Sequence, residues 1–364
     1  MRTDNVEKVW HIVKVRQLSN DIIGNQVKRR KKMTKFEQIE AMIGHTPLLE
    51  ITFRYRKEER KIYAKAEYYN ITGSIKDRVA YYILNKAYEE KKIQPSDRIV
   101  EATSGNTGIS FSALGTYLGH QVIIYMPNWM SSERINLMKS YGAEVRLVSK
   151  EEGGFLGSIQ MTKALAKEGG VFLPEQFDNE DNTMAHYMTT GQEIADQLAR
   201  LNLEADGVVA GVGTGGTIMG IGKRLKEVSP NCKVYPLEPS NSPTLSTGFK
   251  VGKHRIQGIS DEFVPSIVKL DALDDVIAVD DGDAIVMAQM LSRKLGIGVG
   301  ISSGANFLGC IVAQEKQGSH QIIVTVFADD NKKYLSTDYS DEHPIMAHYM
   351  TKDIELLGVK AYRY

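Results

Sequence analysis

The chain has 364 residues, and its 45 Lys plus Arg balance 45 Asp plus Glu. At about 150 residues per domain that length points to two domains, and 42% hydrophobic with 25% charged residues is the mix of a soluble globular protein. No apolar run approaches the roughly 20 residues of a membrane span. Two cysteines, Cys232 and Cys310, make no disulfide framework, and zero net charge argues against a nucleic-acid binder, so a cytoplasmic protein with no membrane or nucleic-acid partner is expected.

Residues 1–33 hold nine basic and three acidic side chains, a charge of +6 that leaves −6 on the rest. This leader ends in Lys28-Arg29-Arg30-Lys31-Lys32 and shows no sustained period, which predicts a solvated, disordered tail. No apolar core of a secretory signal follows the first charges. Met33 is a candidate native start: purine-rich Arg and Lys codons ahead of a methionine are what a translated ribosome-binding site would look like.

From residue 34 strands and helices alternate. The pattern predicts a strand over Lys61–Tyr68, a helix over Arg78–Glu89, a strand over Arg98–Ala102 and a helix over Gly108–Leu118. Next come strand Gln121–Met126, helix Ser132–Tyr141, strand Glu144–Val148 and a helix over about Phe155–Glu168. Helix Met184–Leu201, strand Gly207–Ala210, helix Gly216–Val228 and strand Lys233–Leu237 follow, then helices Asp281–Leu295 and Asn306–Gln314 and a buried strand Gln321–Phe327. Short apolar strands between helices mean parallel sheets covered by helices, with ligands bound past the carboxyl ends of strands. The string MAHYMT occurs at Met184–Thr189 and again at Met346–Thr351 with unrelated flanks, and is taken as chance.

Three strand ends carry chemistry. After Asn70, a Thr-Gly-Ser turn leads to Lys76 at the start of a helix; a helix N-terminus disfavours a cation and so favours a neutral, nucleophilic amine. Glu101–Ile109 (EATSGNTGI) puts hydroxyls, an amide and free backbone N–H groups at a helix start, a site for a carboxylate. Gly207–Thr217 (GVVAGVGTGGT) runs a strand through glycines into a helix, a phosphate cradle. Gly211, Gly213 and Gly216 also fit G-x-G-x-x-G, with Glu238 in place for a ribose hydroxyl, so an NAD-dependent dehydrogenase remains an alternative.

At these residues the sequence resembles the cysteine synthase family, the fold-type II pyridoxal-phosphate enzymes. The shared motifs are IGHTPL at Ile43–Leu48, GSIKDR at Gly73–Arg78, TSGNTG at Thr103–Gly108 and GAEV at Gly142–Val145. They continue with EQF at Glu175–Phe177, GVGTGGT at Gly211–Thr217, GISSGA at Gly300–Ala305 and Tyr334-Leu335. The resemblance implies two three-layer α/β domains with mainly parallel sheets, like the tryptophan synthase β chain, and pyridoxal 5′-phosphate between them. The large domain would combine 34–69 with 181–340, and the small one would span 70–180, with about 121–165 closing over substrate. Residues 341–364 would be a tail packing on the core or on the partner in a homodimer.

The resemblance also implies roles. Lys76 forms the Schiff base, Asn106 bonds the ring hydroxyl, and Gly213, Thr214, Gly215, Gly216 and Thr217 hold the phosphate. Thr103, Ser104, Asn106, Thr107 and Gln176 hold the carboxylate of a small amino acid, and Ser302 faces the pyridine nitrogen. No metal is expected. A neutral hydroxyl at that nitrogen favours loss of the β-substituent and an aminoacrylate. Where cysteine synthases read GIGAGF-x-P, this chain reads GISDEFVP at Gly258–Pro265. A carboxylate at Asp261 would repel an incoming hydrosulfide anion and serve as base for water. The expected reaction is then L-cysteine plus water to L-serine plus hydrogen sulfide, with Asp261 activating the water and Glu262 facing solvent. The alternatives are a cysteine synthase joining sulfide to O-acetylserine, the dehydrogenase, or a non-catalytic binding module on the same scaffold.

Overall fold

The computed structural model describes residues 33–260 and 262–363. All but Met33 of the expected basic leader lies outside these, and so does Asp261. Fold and site lie in the unit Ile39–Tyr364. Met1–Gln38 forms a separate unit, in which Thr34 and Glu37 cap each other's backbone N–H groups.

The strands are β1 (Leu48–Tyr55), β2 (Glu58–Ala66), β3 (Arg98–Ala102), β4 (Val122–Pro127), β5 (Glu144–Val148) and β6 (Val171–Phe172). They continue as β7 (Gly207–Gly211), β8 (Lys233–Pro239), β9 (Ile277–Val279), β10 (Ile323–Phe327) and β11 (Ile354–Tyr362). Besides two short helices, Lys35–Glu40 and Thr244–Thr247, the helices are α1 (Lys76–Glu89), α2 (Asn106–Leu118), α3 (Ser132–Ser140), α4 (Gly154–Ala166), α5 (Asp181–Ala185), α6 (Gln192–Arg200), α7 (Gly216–Val228), α8 (Asp281–Leu295) and α9 (Ile301–Gln317). The fold is α/β with two mostly parallel sheets. A four-stranded sheet, in order β5-β4-β3-β6, draws every strand from residues 98–172 and is wholly parallel. A seven-stranded sheet has the order β11-β1-β2-β10-β7-β8-β9. It is parallel from β2 to β9 and antiparallel at the β11-β1-β2 end.

Both faces of the large sheet are covered, which is why β7 and β10 are apolar apart from Thr325, whose hydroxyl donates to Val209 O at 2.7 Å. Phe53, Ile62, Val209 and Leu237 pack with Ile285 of α8 and Leu308 of α9. Tyr63, Val208, Ala210 and Val324 pack on the other face with Ile194 of α6 and Ile221 of α7. Cys310 and Cys232 are buried free thiols in these two separate cores.

Several elements differ from the sequence expectation. The strand expected over Lys61–Tyr68 starts at Glu58 and ends at Ala66. Helices α1, α2 and α9 begin at Lys76, Asn106 and Ile301, earlier than expected. The helix expected over Met184–Leu201 is interrupted by a π-helical stretch, His186–Gly191, between α5 and α6. The tail does more than pack on the core: β11 adds a nine-residue antiparallel edge strand, pairing Tyr362 with Leu48.

Candidate active site

Lys76 is the first residue of α1 and is held there by the turn before it. Gly73 sits at φ +77°, and a Cβ on it would lie 2.6 Å from an Asp330 carboxylate oxygen, so only glycine fits. Buried Asp77 accepts from Thr72 N at 2.8 Å, Thr72 Oγ1 at 2.5 Å and Ser110 Oγ at 2.6 Å, tying the turn to α2. One residue further, Arg78 is buried in an ion cluster. Its guanidinium meets Glu67 and Glu193 at 2.6 Å each, and Lys65 meets Glu193 at 2.7 Å. These cations hold the Glu193 carboxyl at about 2 against the opposing effect of burial. The lysine thus stands on a backbone fixed from three directions.

The loop after β3 carries Thr103, Ser104, Asn106 and Thr107 into α2. Thr103 Oγ1 accepts from Gly105 N at 3.1 Å. Thr107 Oγ1 donates to Gln176 Oε1 at 2.6 Å, and Gln176 Nε2 donates to Ala102 O at 3.0 Å. Asn106 Nδ2 donates to Asp329 Oδ2 at 2.8 Å, which also accepts from Tyr334 Oη at 2.8 Å. Beneath the loop, burial pushes the Glu101 carboxyl up to about 8.

Arg134, in the first turn of α3, was not anticipated from sequence. It is 2% exposed, and its side chain runs along Gly105, where a Cβ would lie 2.6 Å from Nε. Its guanidinium lies 4.7 Å from the Tyr334 ring centroid. A signal existed: a cation in a helix's first turn opposes the dipole, as at Lys76.

The glycine loop runs from β7 into α7. Gly215 adopts φ +90°, and a Cβ on Gly213 would lie 2.3 Å from Gly258 O. Gly216 starts α7 with its back to Asn182, whose Nδ2 donates to Thr214 Oγ1 at 2.9 Å. His186, also unanticipated, lies in the π-helical stretch, a feature frequent at functional sites. Its Nε2 sits 3.3 Å from Thr217 Oγ1 and its Nδ1 3.0 Å from Thr190 Oγ1. Complete burial, then the nearby charges of Lys76 and Arg78, keep it neutral, with its pKa well below the usual histidine value. Glu238, the candidate ribose acid, accepts from Leu245 N at 2.7 Å, Ser246 N at 3.3 Å and the Ser246 hydroxyl. Its carboxylate is thus spent on its own chain.

One cleft is lined by Lys76, Thr103, Ser104, Asn106, Thr107, Gln176, Gly213, Thr214, Gly215, Thr217 and Ser302. Of the expected site residues that are described, Gly216 alone stays behind its wall. Gly258 and Ile259, just before Asp261, also line the cleft, and Ser260 N donates to Val212 O at 2.7 Å. Glu262 lies at the mouth of an adjoining cavity, about a third exposed and 3.8 Å from Lys250.

A profile of the family described as pyridoxal-phosphate dependent enzyme matches residues 39–329. The chain belongs to that family. The enzyme is 39% identical over 301 residues to a cysteine synthase of Staphylococcus aureus, covering 83% of this chain and 96% of that one. It is similar in structure to a hydrogen sulfide-producing enzyme of Fusobacterium nucleatum, at 59% identity and TM-score 0.89, covering 91% of this chain and 99% of that one. A cysteine synthase of Entamoeba histolytica matches at 36% identity and TM-score 0.78, over 88% and 94%.

Pyridoxal phosphate is the cofactor of this family, and the cleft fits it. The enzyme offers an amine at Lys76, a glycine cradle at the start of α7, and a hydroxyl at Ser302. Asn106 Oδ1 is buried without a hydrogen-bond partner among the described residues. The chemistry is therefore β-replacement or β-elimination on a small amino acid, as in cysteine synthase-like enzymes. Among the described residues no helix is long and apolar enough to cross a membrane.

Proposed function

We propose that the enzyme converts L-cysteine and water to L-serine and hydrogen sulfide. The observation that carries this is 59% identity, over nearly full lengths, to a hydrogen sulfide-producing enzyme, against 39% to a cysteine synthase. In our reading the glycine loop Gly213–Thr217 binds the cofactor phosphate, Asn106 bonds the ring hydroxyl, and Ser302 meets the pyridine nitrogen. The bound cofactor withdraws electrons from the substrate's Cα. Thr103, Ser104, Asn106, Thr107 and Gln176 orient the carboxylate. Lys76 would hold the cofactor through Nζ, and the same amine, when free, would be the base that takes the α-proton. Hydrosulfide leaves from Cβ, Asp261 takes a proton from water as the hydroxide adds to Cβ, Lys76 returns its proton to Cα, and the proton on Asp261 passes to the departing hydrosulfide. Atoms balance, since cysteine and water contain what serine and hydrogen sulfide contain.

The large domain is proposed to combine 34–69 with 181–340 and the small domain to span 70–180, its segment 121–165 closing over substrate. The working assembly is a homodimer. The competing reading is cysteine synthase, with sulfide added rather than released, and the names of the 39–40% identical relatives favour it. Product analysis separates the two. Incubated with cysteine alone, the enzyme should release sulfide and serine in equal amounts. Asp261→Asn should reduce serine formation at least a hundredfold while Lys76 still binds the cofactor. Full serine formation by that variant sinks the role of Asp261. Turnover confined to O-acetylserine plus sulfide sinks the lyase.

A further inference from the structure

We infer that Arg134 is the counter-charge for the substrate's α-carboxylate, a binding residue of the cleft. The inference rests on the reading that the Thr103–Thr107 loop receives that carboxylate. A guanidinium keeps its charge in a protein, and a buried one needs a partner. The other buried arginines have theirs: Arg60 meets Glu58 at 2.7 Å and Glu315 at 2.6 Å, and Arg78 meets Glu67 and Glu193. Buried Lys333 donates to Gly73 O at 2.8 Å beside the charges of Asp329 and Asp330. Arg134 is as deeply buried, yet among the described residues it makes no ion pair, and its Nε and Nη1 are buried without a hydrogen-bond partner.

Its place tells which anion it serves. The side chain lies along Gly105, the residue between Ser104 and Asn106 in the loop, and it lines the same cleft as all three. The glycine is required for this approach, because any Cβ there would strike Nε and Cδ. The Arg134 guanidinium lies over the Tyr334 ring face, and the Tyr334 hydroxyl is anchored on Asp329. The loop itself offers hydroxyls, an amide and backbone N–H groups, all neutral. A carboxylate held by those alone would gain no counter-charge from the loop, and Arg134 supplies one against the loop's backbone.

The test compares ligands with and without the carboxylate charge. The cofactor-loaded enzyme is titrated by calorimetry with L-serine and with L-serine methyl ester, and the ratio of their dissociation constants is the readout. The wild type should bind the acid at least tenfold more tightly. In Arg134→Met and Arg134→Gln that ratio should fall at least tenfold, with most of it recovered in Arg134→Lys. A structural role would weaken both ligands together and leave the ratio alone, and that result overturns the inference. So does a wild type that binds ester and acid equally, which needs no variant to fold. Sulfide release from cysteine is measured separately in the wild type, so failure of the lyase reading and failure of this one are told apart.

Discussion

Glu101 is the penultimate residue of β3, buried beneath the carboxylate loop, and it should impose an alkaline limit on stability. It accepts from Ala102 N at 2.8 Å and Gln176 N at 3.3 Å, but burial outweighs both and, with the charges of Glu175 and Asp178, raises its pKa from 4.5 to about 8. Between those two pH values the folded protein holds a proton that the unfolded chain has released. The contribution is therefore complete below pH 4.5 and is lost as pH rises through 8. At about 1.4 kcal/mol per pH unit, ionising this group costs the folded state on the order of 5 kcal/mol in full, and roughly 3 kcal/mol of that falls between about pH 6 and about pH 9.5. Glu101→Gln copies the protonated acid and cannot ionise. Urea unfolding across that range should show the variant gaining on the wild type by roughly 3 kcal/mol as pH rises. Curves that stay parallel would refute the assignment of a neutral Glu101.

Three further outcomes are expected. Arg78→Met strands Glu67 and Glu193 in the interior with Lys65 alone, and should destabilise the fold by about 3–5 kcal/mol in thermal or urea unfolding; a loss under about 1 kcal/mol would mean the cluster relaxes without it. Gly213→Ala places a methyl 2.3 Å from Gly258 O, so the cofactor affinity read from absorbance should fall at least tenfold while circular dichroism is unchanged. His186 is held neutral, so as pH falls below 6.5 the unfolded chain takes a proton that the folded one refuses, and stability declines by up to about 1.4 kcal/mol per pH unit. His186→Gln should flatten that acid limb in urea unfolding, and an unchanged limb would place the titrating group elsewhere.

What was legible in the sequence follows from what each residue does. The strands Arg98–Ala102 and Glu144–Val148 were bounded correctly because each is a short run holding β-branched residues between turn residues, Pro95–Asp97 and Thr103–Gly105 around the first, Gly142 and Ser149 around the second. Helix starts were read late where chemistry sits, because Lys76, Asn106 and Ser302 occupy first turns with residue types that look like loop. β11 escaped because an edge strand needs little apolar surface and carries Lys360 outward. The repeated MAHYMT shows how far context decides. At Met184–Thr189 it passes through α5 into the π-helical stretch, burying His186, whereas at Met346–Thr351 it forms a loop and a short 3₁₀ turn, leaving His348 largely exposed. Arg134 and His186 left no mark in any period; their meaning comes from neighbours distant in sequence, Gly105 and Tyr334 for the first, Thr217 for the second.

The strand order of the large sheet sets a sequence of events in synthesis. The β1–β2 hairpin emerges early, yet both strands that flank it, β10 and β11, come from the last stretch of the chain. Until Ile323–Phe327 and Ile354–Tyr362 have been made, the hairpin exposes two unpaired edges, one of them β1 with Leu48, Leu49, Ile51 and Phe53. The smaller sheet, with all its strands inside 98–172, can close long before. Completion of the enzyme therefore waits on pairing between its two ends, the slowest kind of contact to form, and the waiting hairpin is where misassembly between nascent chains would begin.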